Sequence, residues 1–258
     1  MRGRKALGDL KGDIKTSHRD YYKNVDGPIG GSDRFEWVTR RFFTSVRGKR
    51  ILEIGCGEGS LLKMLSAGNE VYGVDISESG VEKTRLKGIP CEHADASNES
   101  LPYTDGFFDV VITLETIEHV ENPHRMLWEI KRVLKESGML LISIPGEQVY
   151  HPFIYPGLFT QKNFAEFLAL SGFEVSAVKG WGQAPLLAHW SKRQSDKNIG
   201  WLNSLVGFVW YLGRKRNVLL RKRLGTPIGW AYCLNFVCTN LKAGKSRIEE
   251  VATQTTPR

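Results

Sequence analysis

The feature that most limits the fold of this chain is a series of short apolar runs from Arg50 onward. Four of them are rich in Val, Ile and Leu, at residues 50–55, 70–75, 108–114 and 138–145. Continuous apolar runs of this length are typical of strands that are covered on both faces. Because helix-like stretches alternate with these runs, the sequence predicts an α/β fold with a mostly parallel sheet.

Capping residues and glycines mark the ends of the predicted helices. Asn122 can cap a helix, Pro123 suits its first turn, and Gly138 can end it. Gly172 ends a second helix before another strand. The remaining predicted elements are a helix ahead of the first strand, this second helix, and two late strands that pair with each other: residues 33–43, 160–171, 173–178 and 231–241.

Composition and charge divide the chain into unequal parts. The chain has 258 residues and a formal charge of +8. Residues 183–230 hold nine basic residues and one acidic residue, so this charge belongs to one segment. We expect five parts, namely an N-terminal arm and helix that cover a cleft, a ligand-binding core, a basic aromatic insertion, a last strand and a disordered tail: residues 1–48, 49–182, 183–230, 231–242 and 243–258.

Several classes of protein are disfavoured by the same composition. No run approaches the roughly 20 apolar residues that span a bilayer. The first 15 residues lack the apolar stretch of a signal peptide, so we expect a soluble, cytoplasmic protein. The four cysteines form no CxxC pair, which indicates neither a disulfide framework nor a zinc site.

A glycine-rich turn follows the first predicted strand. Gly55, Gly57 and Gly59 form a GxGxG pattern, and glycine permits the positive φ angles and the close backbone approach that a ligand-binding turn requires. Asp75 ends the second strand, where a carboxylate can accept both hydroxyl hydrogens of a ribose. These features predict a ribose-bearing ligand at the carboxyl ends of the strands. Ser60 at the sixth position, and the lack of a following GK[ST], argue against a dinucleotide fingerprint and a P-loop.

Four segments resemble, in unbroken order, the motifs of class I S-adenosylmethionine-dependent methyltransferases. They read ILEIGCGEGSLL, VYGVDIS, HADASNESLPYTDGFFDVVITLETIEHVENP and LKESGMLLISIP. The resemblance covers about residues 45–180. It implies a Rossmann-like fold in which a seven-stranded, mostly parallel sheet has an antiparallel last strand and helices on both faces. It also implies S-adenosyl-L-methionine as the cofactor.

The same resemblance implies which residues hold the methionine end of the cofactor. Gly55, Gly57 and Gly59 would pass beneath it together with Cys56, and Glu53 would help to place the ammonium group. Cys56 is interpreted as a small filler of the turn, since methyl transfer from this cofactor does not need a reactive thiol.

The nucleoside end would be held by residues after the next strands. By resemblance, Asp75 holds the ribose, Ile76 lies on the adenine, and Asp95 accepts from the adenine amino group beside the Ala96 backbone. Leu114 would help to line the cleft. Without the surrounding motifs, Asp95 would read as a turn residue and Ile76 as ordinary core.

The stretch TLETIEHV, residues 113–120, carries the candidate catalytic groups. A sulfonium methyl is already activated, so the protein mainly positions a nucleophile and removes its proton, and His119 is placed for that task. If residues 115–119 form one helical turn, Glu115, Glu118 and His119 share a face. The ExxEH pattern resembles ubiquinone-biosynthesis O-methyltransferases and small-RNA terminal 2′-O-methyltransferases, which implies a divalent ion such as Mg²⁺ or Zn²⁺ on these three residues. The alternative is a hydrogen-bonded pair of Glu118 and His119.

These observations favour a methyltransferase that acts on an oxygen of a small-molecule or lipid-linked acceptor. Aromatic residues beside concentrated positive charge suit an acidic acceptor, or a peripheral membrane contact through residues 201–223. A solvated outer face explains the same charges. The alternatives are an RNA 2′-O-methyltransferase and a non-catalytic cofactor-binding module. Nucleic acid is disfavoured because the charge is confined to one segment and no RNA-binding module flanks the core.

Overall fold

The computed structural model describes residues 32–146, 157–182 and 233–241. These residues form one seven-stranded sheet with helices on both faces. In chain order the elements are α1 (Ser32–Phe42), β1 (Arg50–Ile54), α2 (Ser60–Leu65), β2 (Glu70–Asp75), α3 (Glu78–Leu86), β3 (Cys91–His93), β4 (Phe108–Leu114), a 3₁₀ helix (Ile117–His119), α4 (Pro123–Val133), β5 (Leu134–Pro145), α5 (Gln161–Leu170), β6 (Phe173–Trp181) and β7 (Cys233–Asn240).

The strand order confirms the predicted Rossmann-like class. It is β3-β2-β1-β4-β5-β7-β6. The pairs from β3 through β5 are parallel, and β7 runs antiparallel to both of its neighbours. The chain leaves β1 toward β2 and β3, then returns to place β4 on the other side of β1. Ligands of open α/β sheets bind at such a reversal of strand order, outside the carboxyl ends of the strands.

Two apolar layers hold the sheet between the helices. The strands read as continuous apolar runs because both of their faces are covered, as their burial confirms. Fully buried or nearly buried side chains supply the contacts from α4 and α5 on one face, and from α1, α2 and α3 on the other: Met126, Leu127 and Phe164, then Val38, Leu61 and Val81.

The boundary between α4 and β5 differs from the prediction. The helix was expected to continue to Gly138, but it ends at Val133 and the strand begins at Leu134. The buried amide of Asn240 in β7 explains the early end, because its Nδ2 donates to the carbonyl oxygens of Lys131, Leu134 and Lys135 at 3.0–3.2 Å. A side chain from another strand thereby satisfies carbonyls that the helix would leave unpaired.

Three predicted parts lie outside the described residues: the whole basic insertion at 183–230, the tail at 243–258, and the N-terminal arm up to residue 31. Within the described ranges, none of the helices has the length and apolar character needed to cross a membrane.

Candidate active site

A cleft opens at the carboxyl ends of the strands, at the reversal of strand order. The segments that follow β1, β2, β3 and β4 all contribute to its wall. The lining residues are Ile54, Gly55, Val74, Asp75, Ile76, Ala94, Asp95, Ala96, Ser97, Glu115, Thr116, His119, Val120, Glu121 and Met126. The sequence-predicted residues Gly55, Asp75, Ile76, Asp95, Ala96, Glu115 and His119 are therefore brought together.

The glycine turn adopts the conformation that its sequence predicts. Gly55, Gly57 and Gly59 have φ angles of 74°, 54° and 70°, in the left-handed region. At Gly55 there is also no room for a side chain, since a Cβ would lie 2.3 Å from Oγ1 of Thr116. The turn after β1 therefore packs directly against the segment after β4.

Asp75 joins the second strand to this turn. One carboxylate oxygen accepts from the Gly57 N–H at 2.7 Å, and the other accepts from the Ser77 N–H at 2.8 Å. The residue is buried, but it contributes to the cleft wall. As acceptor-only groups on the cleft wall, the two oxygens suit the hydroxyl groups of a ribose.

Asp95 is held in a similar way at the end of the cleft that follows β3. Its Oδ1 accepts from the backbone and hydroxyl of Ser97, at 3.1 and 2.7 Å, and its Oδ2 accepts from Asn98 Nδ2 at 3.0 Å. The carboxylate is thus an acceptor-only group fixed beside the backbone of Ala96, an arrangement that suits an exocyclic amino group. The turn-residue reading and the binding-residue reading both fit these contacts.

Glu53, Cys56 and Leu114 lie outside the described cleft wall. Glu53 is buried, and its Oε2 has no hydrogen-bond partner among the described residues. Burial, and then the Asp75 carboxylate, raise the pKa of Glu53 well above its usual range. A buried acid without a full set of partners fits a ligand ammonium group, which would relieve the cost of charging it. Leu114 is half-buried and packs against the apolar layer beneath the cleft.

Cys56 fills the space behind the glycine turn. Its Sγ lies 3.5 Å from Sγ of Cys91, and both thiols are buried. The hydrogen bond with Cys91, followed by burial, raises the pKa of Cys56 well above its usual range. A thiol that resists ionisation is a poor nucleophile, which agrees with its interpretation as a filler.

The predicted helical turn over residues 115–119 is wrong. Glu115 has a φ of 53°, outside any helix, and a 3₁₀ helix covers only Ile117–His119. The carboxylate of Glu115 accepts from Ser143, whereas Glu118 is fully buried and neither of its carboxyl oxygens has a hydrogen-bond partner among the described residues. Glu115 and His119 line the cleft, whereas the buried Glu118 lies outside its described wall.

This geometry does not fit the expected divalent ion. In the described part of the chain, no group of three or more His, Cys, Asp or Glu side chains is placed to hold a metal. The alternative, a hydrogen-bonded pair of Glu118 and His119, does not form either, since His119 Nε2 lies 3.8 Å from Glu118 Oε1, too far for a hydrogen bond. Burial, and then the Glu115 carboxyl, raise the pKa of Glu118 well above its usual range, which disfavours the deprotonated form that a metal ligand needs.

His119 itself is at the cleft surface, with 27% of its side chain exposed. The wall also contains residues that sequence reasoning missed, notably Ser97, Thr116 and Glu121. The available signal was their position in the sequence, since Ser97 stands two residues after Asp95, and Thr116 and Glu121 lie within TLETIEHVE. Among the described residues, the wall carries four carboxyl groups and no lysine or arginine.

The core of the chain is similar in sequence to known methyltransferases. Residues 52–142 match a family described as a methyltransferase domain. Over 120 residues, 46% of this chain and 44% of the relative, the chain is 32% identical to a Mycobacterium tuberculosis protein named "Probable S-adenosylmethionine-dependent methyltransferase". Over 116 residues, 43% of this chain and 49% of the relative, it is 36% identical to a ubiquinone biosynthesis O-methyltransferase of Dechloromonas aromatica.

A solved structure shares the fold. The crystal structure of a SAM-dependent methyltransferase from Aquifex aeolicus superposes with a TM-score of 0.55 at 18% identity, covering 86% of this chain and 98% of that one. The chain spans about half the length of the two curated relatives named above.

Proposed function

We propose that this chain is a class I S-adenosylmethionine-dependent methyltransferase that transfers the methyl group of the cofactor to an oxygen of a small-molecule or lipid-linked acceptor, as its similarity to methyltransferases supports. The observation that carries the proposal is the cleft at the reversal of strand order. It combines a left-handed glycine turn with two carboxylates, Asp75 and Asp95, that are fixed as hydrogen-bond acceptors.

The electrostatics of the cleft support a cationic cofactor. Four carboxyl groups line the described wall, and the buried Glu53 lies behind it. S-Adenosylmethionine carries a sulfonium and an ammonium, so an acidic wall favours it over the neutral sulfur of the product. Product release follows from the same difference, because the favourable interaction with the sulfonium disappears when the methyl group leaves.

The chemistry needs little covalent help from the protein. When bound, S-adenosylmethionine supplies a sulfonium methyl group that a nucleophile attacks in line with the carbon–sulfur bond. The glycine turn and Asp75 fix the cofactor, while His119 faces the cleft where it can accept the proton of an acceptor hydroxyl. No step is assigned to a metal, because the expected ligands do not converge.

The preference for oxygen as the acceptor atom rests on the ExxEH pattern and on similarity to a ubiquinone biosynthesis O-methyltransferase. The basic residues at 192–223 motivate the choice of an acidic or lipid-linked acceptor, and a peripheral membrane contact through 201–223. Since the described wall is itself acidic, we assign the recognition of an acidic group on such an acceptor to these basic residues and not to the wall.

Two measurements test the proposal in sequence. Calorimetry with S-adenosylhomocysteine should give a binding heat that Asp75→Ala abolishes. Incubation of the protein and methyl-labelled cofactor with a fractionated cell extract, followed by mass spectrometry, should then show one class of compound that gains a methyl group. Binding without any methylated product, and no effect of His119→Ala in cells, would instead identify a non-catalytic binding module. Labelled RNA as the product would identify the RNA alternative.

A further inference from the structure

Glu115 occupies an unusual backbone conformation at the end of β4. Its φ of 53° lies in the left-handed region, which non-glycine residues seldom adopt. Such a conformation persists only when surrounding contacts enforce it, and it is concentrated at functional sites. The contacts around Glu115 show what enforces it.

Ser143 of β5 is the centre of these contacts. It is fully buried, and its Oγ accepts from the Glu115 N–H at 3.1 Å and from Arg34 Nη2 at 2.7 Å. The same hydroxyl donates to Glu115 Oε1 at 2.9 Å. One hydroxyl therefore uses both lone pairs and its hydrogen to fix the backbone and the side chain of Glu115 together.

Arg34 contributes a positive charge to these contacts around Glu115. It extends from α1, is buried, and places Nη2 at 3.4 Å from Glu115 Oε1. Burial raises the pKa of Glu115, but the Arg34 guanidinium and the hydrogen bond from Ser143 both lower it. These contacts favour the charged form of Glu115, and the carboxylate is in turn a partner for the buried guanidinium.

The same carboxylate faces the cleft. Glu115 lines the wall, and a fifth of its side chain is exposed. Its contacts with Ser143 and Arg34 are both made through Oε1, which leaves Oε2 as the oxygen that can meet a ligand. The next residue, Thr116, packs on Gly55, so Glu115 lies beside the end of the cleft that would hold the methionine and its methyl group.

From this arrangement we propose that Glu115 is an acceptor-binding residue, fixed by Ser143 and Arg34 as positioning residues, which selects acceptors whose reacting group is an O–H or N–H donor. The inference rests on the proposed function and deepens it, because it names the chemical class of the acceptor group. An anionic reacting group is rejected by like charge, and a group without a hydrogen leaves the carboxylate unpaired, so both lose binding.

Sinefungin provides a test that needs no knowledge of the acceptor. In this analogue an amine-bearing carbon replaces the sulfonium and its methyl group, so a charged N–H donor stands where the methyl would be. S-Adenosylhomocysteine lacks any group there. Calorimetric affinities of both ligands are measured for the wild type and for Glu115→Gln, with Glu166→Gln on the exposed surface of α5 as the matched control. The ratio of the two affinities in each variant reports on Glu115 alone, because damage to the rest of the cofactor site would weaken the binding of both ligands alike.

We expect the wild type and the control to bind sinefungin more tightly than S-adenosylhomocysteine. The difference should be about tenfold or more, because that is what one charge-assisted hydrogen bond typically contributes to affinity. Glu115→Gln should lose that advantage while its affinity for S-adenosylhomocysteine stays unchanged. Ser143→Ala, which releases the carboxylate without removing it, should lose part of the advantage. An advantage that survives in Glu115→Gln overturns the inference and leaves the proposed function intact. A wild type that binds neither ligand overturns the proposed function itself.

Discussion

Replacement of Gly55 by alanine gives the sharpest test of the glycine turn. A left-handed conformation costs an L-residue about 1–2 kcal/mol, and Gly55 has a φ of 74°. The new Cβ would also lie 2.3 Å from Thr116 Oγ1 and 2.7 Å from Cγ2, both far inside contact distance. Overpacking of this kind typically adds about 1–3 kcal/mol. We therefore expect Gly55→Ala to lower the free energy of unfolding by about 2–5 kcal/mol.

Gly88 supplies the matched control. Its φ of 77° is equally left-handed, but a Cβ there has no atom within 4 Å. Gly88→Ala should therefore show only the backbone cost of about 1–2 kcal/mol. In the double variant Gly55→Ala/Thr116→Ala the nearest atom of residue 116 is its Cβ at 3.1 Å, so part of the extra loss should return.

Urea unfolding followed by far-UV circular dichroism gives these free energies, and calorimetry with S-adenosylhomocysteine gives the effect on the site. We expect Gly55→Ala to bind the ligand far more weakly than Gly88→Ala does. Equal losses of stability in the two single variants, or no recovery in the double variant, would refute the argument that packing against Thr116 shapes the turn.

Three further predictions concern the rest of the molecule. Asp75→Asn replaces one of the two acceptor oxygens with an NH₂ group, which would face the backbone N–H of Gly57 or Ser77. Calorimetry should therefore show that S-adenosylhomocysteine binds at least about tenfold more weakly. Glu53 has a pKa raised by burial, so its ionisation opposes folding as the pH rises above the usual value of 4.5. Glu53→Gln should therefore make the ligand-free protein more resistant to urea at pH 7, with no gain near pH 4, while weakening binding of the cofactor. Asn240→Ala should cost about 1–3 kcal/mol in urea unfolding, since it leaves buried helix-end carbonyls unpaired.

The central strands were predictable because their apolar runs report burial on both faces. The edge strand Cys91–His93 was not, since only its first residue is buried and its pairing depends on β2, which lies beside it in the sheet. The end of α4 was misplaced for a similar reason. Helical periodicity continues in the sequence past Val133, but the competing partner, Asn240, lies more than a hundred residues away.

The site residues show the same contrast between local patterns, which the sequence reveals, and contacts with distant residues, which it does not. The glycine turn and Asp75 are local patterns at strand ends, and the structure places Gly55 and Asp75 on one cleft. The helical turn predicted at TLETIEHV does not form, because Glu115 instead makes hydrogen bonds with Ser143 on the neighbouring strand. Arg34 was missed because several arginines occur in α1. Its spacing of four residues before the buried Val38, on the apolar face of the helix, was the signal that it points inward.

The glycine turn after β1 owes its conformation to the residues packed behind it as much as to its own glycines. Thr84 of α3 donates to the carbonyl of Gly57 at 2.9 Å. Gly73 of β2 leaves the space in which the Cys56 and Cys91 thiols meet, since a Cβ there would lie 2.7 and 2.9 Å from the two sulfur atoms. The turn is thus held by packing and hydrogen bonds even before a ligand is bound. A cofactor that enters a preformed turn loses less binding energy to ordering the chain, so residues that never touch it contribute to its affinity.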